Sequence, residues 1–175
     1  GLYPGAPGGT CGDPINADCD IVIEYDPQAV GTHNDTITIT WDDGTGNIQN
    51  DTLDLTGTAI TPATLTFNPI ALYDFGNQAT GSTTITTFNV DYAGTVAAVM
   101  NVPLSGFGTG TYDFEGGAYP GTTGTCLGAI SVNCTVAIEF TPTAGVDPTV
   151  HPDVITLTYD NGLAAGQTVT QNVTG

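Results

Sequence analysis

The 175-residue chain contains no lysine and no arginine against 18 aspartates and glutamates, a formal charge of −18. That absence excludes whole classes of function. Nucleic-acid binding needs cations to displace phosphate counterions, and anionic membrane surfaces are disfavoured for the same reason. A lysine Schiff base, a P-loop, a lysine–asparagine crosslink and any Lys or Arg salt bridge are ruled out, and trypsin has no cleavage site. No run approaches the ~18 apolar residues of a membrane span. The opening Gly1-Leu2-Tyr3-Pro4-Gly5 has neither the charged nor the apolar region of a signal peptide. Convincing helix signals are missing too, because β-branched residues, Gly and Pro interrupt every window. The acidity reads as a solvated, self-repelling surface. Cation binding, or a saline extracellular setting, is the sharper alternative.

What the chain does have is one phrase written twice. Cys11–Cys19 and Cys126–Cys134 share one spacing, and each second cysteine opens a strand-like run ending in proline. Ile21-Val22-Ile23-Glu24-Tyr25-Asp26-Pro27 aligns with Val136-Ala137-Ile138-Glu139-Phe140-Thr141-Pro142 at an offset of 115 residues. After three extra residues in the second copy, His33–Trp41 falls on His151–Tyr159, and both copies close on Thr-Gly, at Thr56-Gly57 and Thr174-Gly175. A long fixed period points to a tandem array of one folded unit. The implied division is 1–57, the back half of a unit, and 58–175, a complete one.

Alternation of apolar and polar residues gives the secondary structure. Ile21, Ile23 and Tyr25 share one face, as do Ile37, Ile39 and Trp41; Val136, Ile138, Phe140 and Ile155, Leu157, Tyr159 repeat both patterns. Period two with threonines outward describes a sheet with one buried face. Asp42-Asp43-Gly44 and Asp160-Asn161-Gly162 predict hairpin turns, with return strands at 49–56 and 167–174. Further strands are expected around Leu65 and Phe67, near Phe75, over Thr83–Asp91 and over Val96–Val102. Residues 103–126 read as mostly loop, with the aromatic residues Tyr112, Phe114 and Tyr119 inside it. The fold class is all-β, with immunoglobulin-like β-sandwich repeats in tandem.

The cysteine spacing predicts two local disulfides, Cys11–Cys19 and Cys126–Cys134, and hence an oxidising compartment. Zinc ligands come in tighter pairs, and each first cysteine sits in a Gly/Thr-rich loop unsuited to a buried free thiol.

Several motifs carry a family resemblance. Leu72-Tyr73-Asp74-Phe75-Gly76, Thr80-Gly81-Ser82, Phe88–Thr95 and Leu104-Ser105-Gly106 come first; Cys126, the run Cys134–Gly145 and the closing Thr-Gly follow. Together they resemble the bacterial choice-of-anchor D repeats, relatives of the ASPM–SPD-2–Hydin immunoglobulin-like domains. The likeness spans 61–175, and 1–57 matches its back half. It departs at Tyr92, where the family usually has the Asn of an N-x-G turn. The resemblance implies a β-sandwich module of large secreted or surface-attached bacterial proteins, without catalysis.

Residues 1–57 lack counterparts of Leu65, Phe75, Phe88, Val90 and Val96, so their apolar faces would meet water. Exchange between identical copies cannot cure this, since each chain has one front half and two back halves. Upstream sequence is the expected source of the missing strands, with donation by another subunit as the alternative.

Chemistry is sparse. His33 and His151, each two residues before an aspartate, read as loop residues entering a strand. Ser82, Ser105 and Ser131 lack the G-x-S-x-G context and any basic helper. The Asp42–Asp51 stretch fails calcium-loop spacing. No catalytic, cofactor-binding or metal residues are expected, and no cofactor beyond weak, non-specific Ca²⁺ screening of the acidic surface. Asn34, Asn50, Asn133 and Asn172 open Asn-x-Thr triplets, relevant only where a glycosyltransferase is present. The expected role is a structural or adhesive module of an extracellular or cell-surface bacterial fibre, filament or stalk. Its partners would be neighbouring repeats or subunits. A binding module using the Gly/aromatic loop 106–124 for a glycan or protein is the alternative.

Overall fold

The computed structural model describes residues 4–5, 7–101, 107, 110–143 and 150–175. Val102, the Leu104-Ser105-Gly106 motif, Ala144-Gly145 and part of the 106–124 loop lie outside the described residues. Two compact units divide the chain, Gly1–Ala59 and Ile60–Gly175. The division falls two residues later than the Thr-Gly ending suggests, because pairing carries on through Thr58 and Ala59.

Among its described residues the first unit has one sheet, a hairpin of β1 (Gly31–Asp42) and β2 (Ile48–Ala59), antiparallel from Gly31 opposite Ala59 to Asp42 opposite Ile48. Its loop, 43–47, is longer than a two-residue turn, and Gly44 and Gly46 take the positive φ it requires. Residues 21–27 form no strand, contrary to their alternation. The reason is visible in the second unit.

That unit is nearly all strand: β3 (Thr64–Asn68), β4 (Tyr73–Asp74), β5 (Thr84–Ala93), β6 (Ala98–Met100), β7 (Tyr112–Phe114), β8 (Ala129–Ile130), β9 (Cys134–Phe140), β10 (Asp153–Asp160) and β11 (Gln167–Thr174). The described residues contain no α-helix, only a 3₁₀ turn at Glu115–Gly117. Two sheets form, ordered β3-β5-β9-β7 and β4-β11-β10-β6-β8. All neighbours are antiparallel except β4, which runs parallel to β11.

The sheets face one another across a single apolar core. One sheet contributes Leu65, Phe67, Phe88, Val90, Val136, Ile138 and Phe140; the other contributes Met100, Ile130, Ile155, Leu157, Tyr159, Val169 and Val173. This is a β-sandwich, and period-two alternation produces it directly, since every second side chain of each strand points inward. Tyr159 also ties the layers together, its hydroxyl accepting the Leu65 N–H at 3.2 Å.

β9 lies between β5 and β7, so both its edges are paired. Residues 21–27 match β9 in sequence but have no such neighbours in their own unit. Without ladder partners, alternation alone does not hold an extended segment as a strand.

Residues 103–126 are not all loop: Tyr112–Phe114 completes the four-stranded sheet. Tyr112 and Phe114 are buried, and Tyr119 packs against the same core. Tyr112 and Phe114 thus turn into the core, with Tyr119 partly buried against it. The Tyr92 hydroxyl donates to the Val96 carbonyl at 2.8 Å.

Candidate functional site: the disulfide clasp and the aromatic seat

The sulfur bridges close two small clasps with the same backbone plan. In the second unit Cys126 is bonded to Cys134, with Cα atoms 5.0 Å apart. The Thr125 and Cys126 amides both donate to the Thr135 carbonyl, at 2.8 and 3.1 Å. The Thr125 hydroxyl accepts the Thr135 N–H at 2.9 Å. In the first unit Cys11 is bonded to Cys19 across 4.8 Å. There the Thr10 and Cys11 amides donate to Asp20, at 2.9 and 3.4 Å, and the Thr10 hydroxyl accepts the Asp20 N–H at 2.8 Å.

A turn preceding each clasp docks on the strand-like run after it. The Pro120 carbonyl accepts the Ala137 N–H at 2.8 Å, and Pro4 accepts that of Val22 at 3.0 Å. The following glycines, Gly121 and Gly5, both have φ near +94°. A Cβ at Gly121 would lie 2.5 Å from the Ala137 carbonyl oxygen, and one at Gly5 2.3 Å from that of Val22. Only glycine fits such an approach. Alignment from the cysteines alone misses this turn; the shared Tyr-Pro-Gly of Tyr3-Pro4-Gly5 and Tyr119-Pro120-Gly121 is the signal that would have found it.

Each Thr-Gly ending serves an aromatic side chain. A Cβ on Gly175 would sit 2.6 Å from the Phe140 ring, and one on Gly57 2.7 Å from the Tyr25 ring. The same rings meet the histidines, Phe140–His151 and Tyr25–His33, with centroids 6.0 Å apart in both pairs. His33 and His151 therefore belong to packing. His33 Nε2 also lies 2.8 Å from the Ala29 carbonyl. The hairpin registers agree as well: Trp41 faces Gln49 as Tyr159 faces Gln167, and Asp35 faces Leu55 as Asp153 faces Val173.

What differs is cover. Ile138, Phe140 and Tyr159 are 0, 1 and 5 % exposed, whereas their counterparts Ile23, Tyr25 and Trp41 are 49, 50 and 43 % exposed. Among the described residues of the first unit, only Cys11 is buried.

Ser82 donates to the Ala79 carbonyl within a turn, Ser131 is exposed, and Ser105 lies outside the described residues. The described residues contain no group of three or more His, Cys, Asp or Glu that could hold a metal. In the 43–47 loop, Asp42 Oδ1 accepts the Gly44 and Gly46 amides, while Asp43 Oδ1 accepts the Thr45 amide and hydroxyl. The Thr45 hydroxyl, chiefly, holds the Asp43 carboxyl below the ordinary aspartate range. These oxygens are spent on the turn. The broad depression lined by Asn34, Asp35, Thr36, Asp54, Leu55 and Thr56 is likewise internally bonded, Thr36 donating to Asp54 at 2.8 Å.

The core-facing placement of three polar groups, Gln171, Tyr119 and Tyr112, escaped sequence reasoning. Gln171 occupies an inward position of β11 and donates to the Ala71 carbonyl at 2.6 Å, tethering the chain ahead of β4. Burial raises the Tyr119 phenol above its ordinary range. Burial, with Asp153 and Asp74 nearby, pushes Tyr112 up to about 12. Tyr112 spans the core edge, donating to the His151 carbonyl at 2.6 Å.

A scan against protein-family models, a search of curated proteins and a search of solved structures each return no match to this chain.

Proposed function

We propose that the chain is a structural or adhesive module of a secreted or cell-surface bacterial protein, built from immunoglobulin-like repeats in series. The observation that carries this reading is the correspondence of the described residues of 4–57 with those of 120–175: clasp, docking turn, aromatic seat and hairpin register. A sequence that preserves so much scaffold twice, and no converging reactive groups, is organised for repetition rather than for a reaction. The resemblance to choice-of-anchor D repeats points the same way.

The immunoglobulin-like assignment is supported by strand order. β3-β5-β9-β7 corresponds to the A-B-E-D sheet and β11-β10-β6 to G-F-C, with β4 added beside G. β8 lies beside β6, where a C′ strand would be, yet follows β7 in the chain. That is the one departure in topology.

Extracellular placement is supported by two disulfides without a free cysteine. Threonine-rich outward faces and a uniformly acidic surface keep such modules hydrated and apart. The work proposed is to span distance and resist proteases, with no enzyme activity. Electron microscopy and surface fractionation of the native material test this: cell-surface filaments or stalks are the expected result. A cytosolic, reduced, unassembled protein would overturn it.

A further inference from the structure

We propose that the open edge of β8 is a self-pairing surface, along which a second copy of this chain adds its own β8, antiparallel, to extend the five-stranded sheet. The proposal stands on the geometry of the second unit and holds whether or not the protein works at a cell surface.

β8 ends its sheet, with β6 as its neighbour. The register pairs Val99 with Ala129 and Ala98 with Ile130, and the Met100 N–H donates to the Gly128 carbonyl at 3.0 Å. Along an antiparallel ladder, successive residues turn their backbone groups alternately towards the neighbour and away from it. Gly128 and Ile130 therefore face β6, and the Ala129 N–H and C=O point off the sheet edge. Among the described residues no strand meets them. Two copies related by a dyad can exchange both bonds, Ala129 to Ala129. The Cys126–Cys134 bridge closes the loop that carries this strand, so the edge is preformed rather than ordered on contact.

Proteins blunt exposed edge strands with charge or proline. β4 carries Asp74, β7 carries Asp113, and β3 runs directly into Pro69. The fourth edge, β8, has neither: Leu127-Gly128-Ala129-Ile130-Ser131-Val132 holds no carboxylate and no proline. Leu127 and Val132 are 64 and 69 % exposed, and Val99, beside Ala129 on the next strand, is half exposed. The equivalent stretch of the first unit, at the same offset of 115 residues as the clasps, reads Gly12-Asp13-Pro14-Ile15-Asn16-Ala17. There Pro14 stands where Ala129 does and lacks the N–H that pairing needs, with Asp13 beside it.

Charge selects the occupant. A cationic partner is drawn to the acidic faces rather than to a neutral strip. A second copy bears the same charge of −18 and is repelled wherever carboxylates would meet, which residues 127–132 avoid. The carboxylate in register with Val99, Asp160, is already bonded by the Asn101 side-chain amide and the Gly166 N–H. A contact this small makes a weak, reversible dimer, and screening the remaining charge should strengthen it.

Sedimentation equilibrium and amide hydrogen exchange of the 175-residue chain test this. A monomer–dimer equilibrium is expected, tightening severalfold as the Debye length falls from ~10 Å at ~0.1 M salt to ~3 Å at ~1 M. Exchange of the Ala129 amide should slow as protein concentration rises. Ala129→Pro removes the outward N–H without touching the β6 ladder, and Leu127→Asp adds a like charge to an exposed side chain. Each should weaken dimerisation severalfold while leaving the urea midpoint of the second unit in place; should Ala129→Pro disturb that midpoint, Leu127→Asp decides. A monomer at every salt and protein concentration overturns the proposal, as does association undiminished in Leu127→Asp. Protection of Ala129 by polylysine at low salt, without self-association, assigns the edge to a cationic partner and overturns self-pairing.

Discussion

Ile23 and Ile138 occupy the same place in the repeated phrase, so truncating each to alanine separates sequence from environment. Ile138 is fully buried in the sandwich. Its truncation removes about three methylene equivalents, or about 2.4 kcal/mol at ~0.8 kcal/mol each. The cavity left between β5, β7 and the opposite sheet adds to this, bringing the total to about 3–4 kcal/mol, within the range for buried Ile→Ala changes. Ile23 already meets solvent over half its surface, and no strand lies on either side of it. Its truncation should cost under ~0.5 kcal/mol, as for surface substitutions generally.

Urea unfolding is the suitable assay, because an ionic denaturant would also screen a chain of charge −18. Far-UV circular dichroism and tyrosine fluorescence follow the second unit, while Trp41 follows the first. With a slope near ~2 kcal/mol per molar, Ile138→Ala should lower the second unit's midpoint by almost ~2 M, with Ile23→Ala leaving both transitions in place. Equal losses at the two positions would refute the reasoning, for they would mean that the first unit buries Ile23 as the sandwich buries Ile138.

The other expectations are simpler. Replacing Cys126 and Cys134 by serine should destabilise the second unit by about 2.5 kcal/mol in the chain-entropy account of so short a loop, read as a lowered urea midpoint. Gly175→Ala should lower the same midpoint, by about 1–3 kcal/mol of overpacking against the Phe140 ring, while Gly57→Ala should not, since the half-exposed Tyr25 ring can swing away. Tyr112 and Tyr119 have raised folded-state values, so their stabilising contribution is complete below the ordinary tyrosine value near ~10 and lost as pH rises through the folded values. An alkaline titration should show the second unit weakening above pH ~10, with delayed phenolate absorbance from these two rings. Calcium should raise the unfolding temperature no more than sodium at matched ionic strength, because the carboxylates of the 43–47 loop are engaged in its turn; a calcium-specific rise reversed by chelator would contradict this.

How much of this was legible in the sequence depended on whether a signal was local. Cys-x7-Cys spacing sufficed to expect short disulfides, since chain proximity makes the bond nearly unavoidable in an oxidising setting. Alternation over Ile155–Tyr159 and the Asp160-Asn161-Gly162 turn sufficed for the β10–β11 hairpin, whose partners are consecutive. β7 was hidden because Tyr112–Phe114 is three residues long and set among glycines, where no period can be read. Gln171 was hidden because its hydrogen bond reaches Ala71, a hundred residues away in sequence. The Thr-Gly ending was visible as a repeat, but its purpose was not, since the ring that demands the glycine arrives from another strand.

The sharpest failure, residues 21–27, explains why equal patterns can fold unequally. Val136–Phe140 and Ile21–Tyr25 carry the same alternation, follow an equivalent disulfide and donate the same backbone hydrogen bond to a Pro-Gly turn. Those local devices hold both segments extended. They do not supply the ladder, which in β9 comes from β5 and β7 and fixes every second side chain into the core. Period-two patterning therefore records which face a segment would bury, and strand formation needs partners on its edges as well. In the first unit the record is intact while no strand pairs along either edge of the segment, so the pattern by itself does not distinguish a strand from an unpaired extended run.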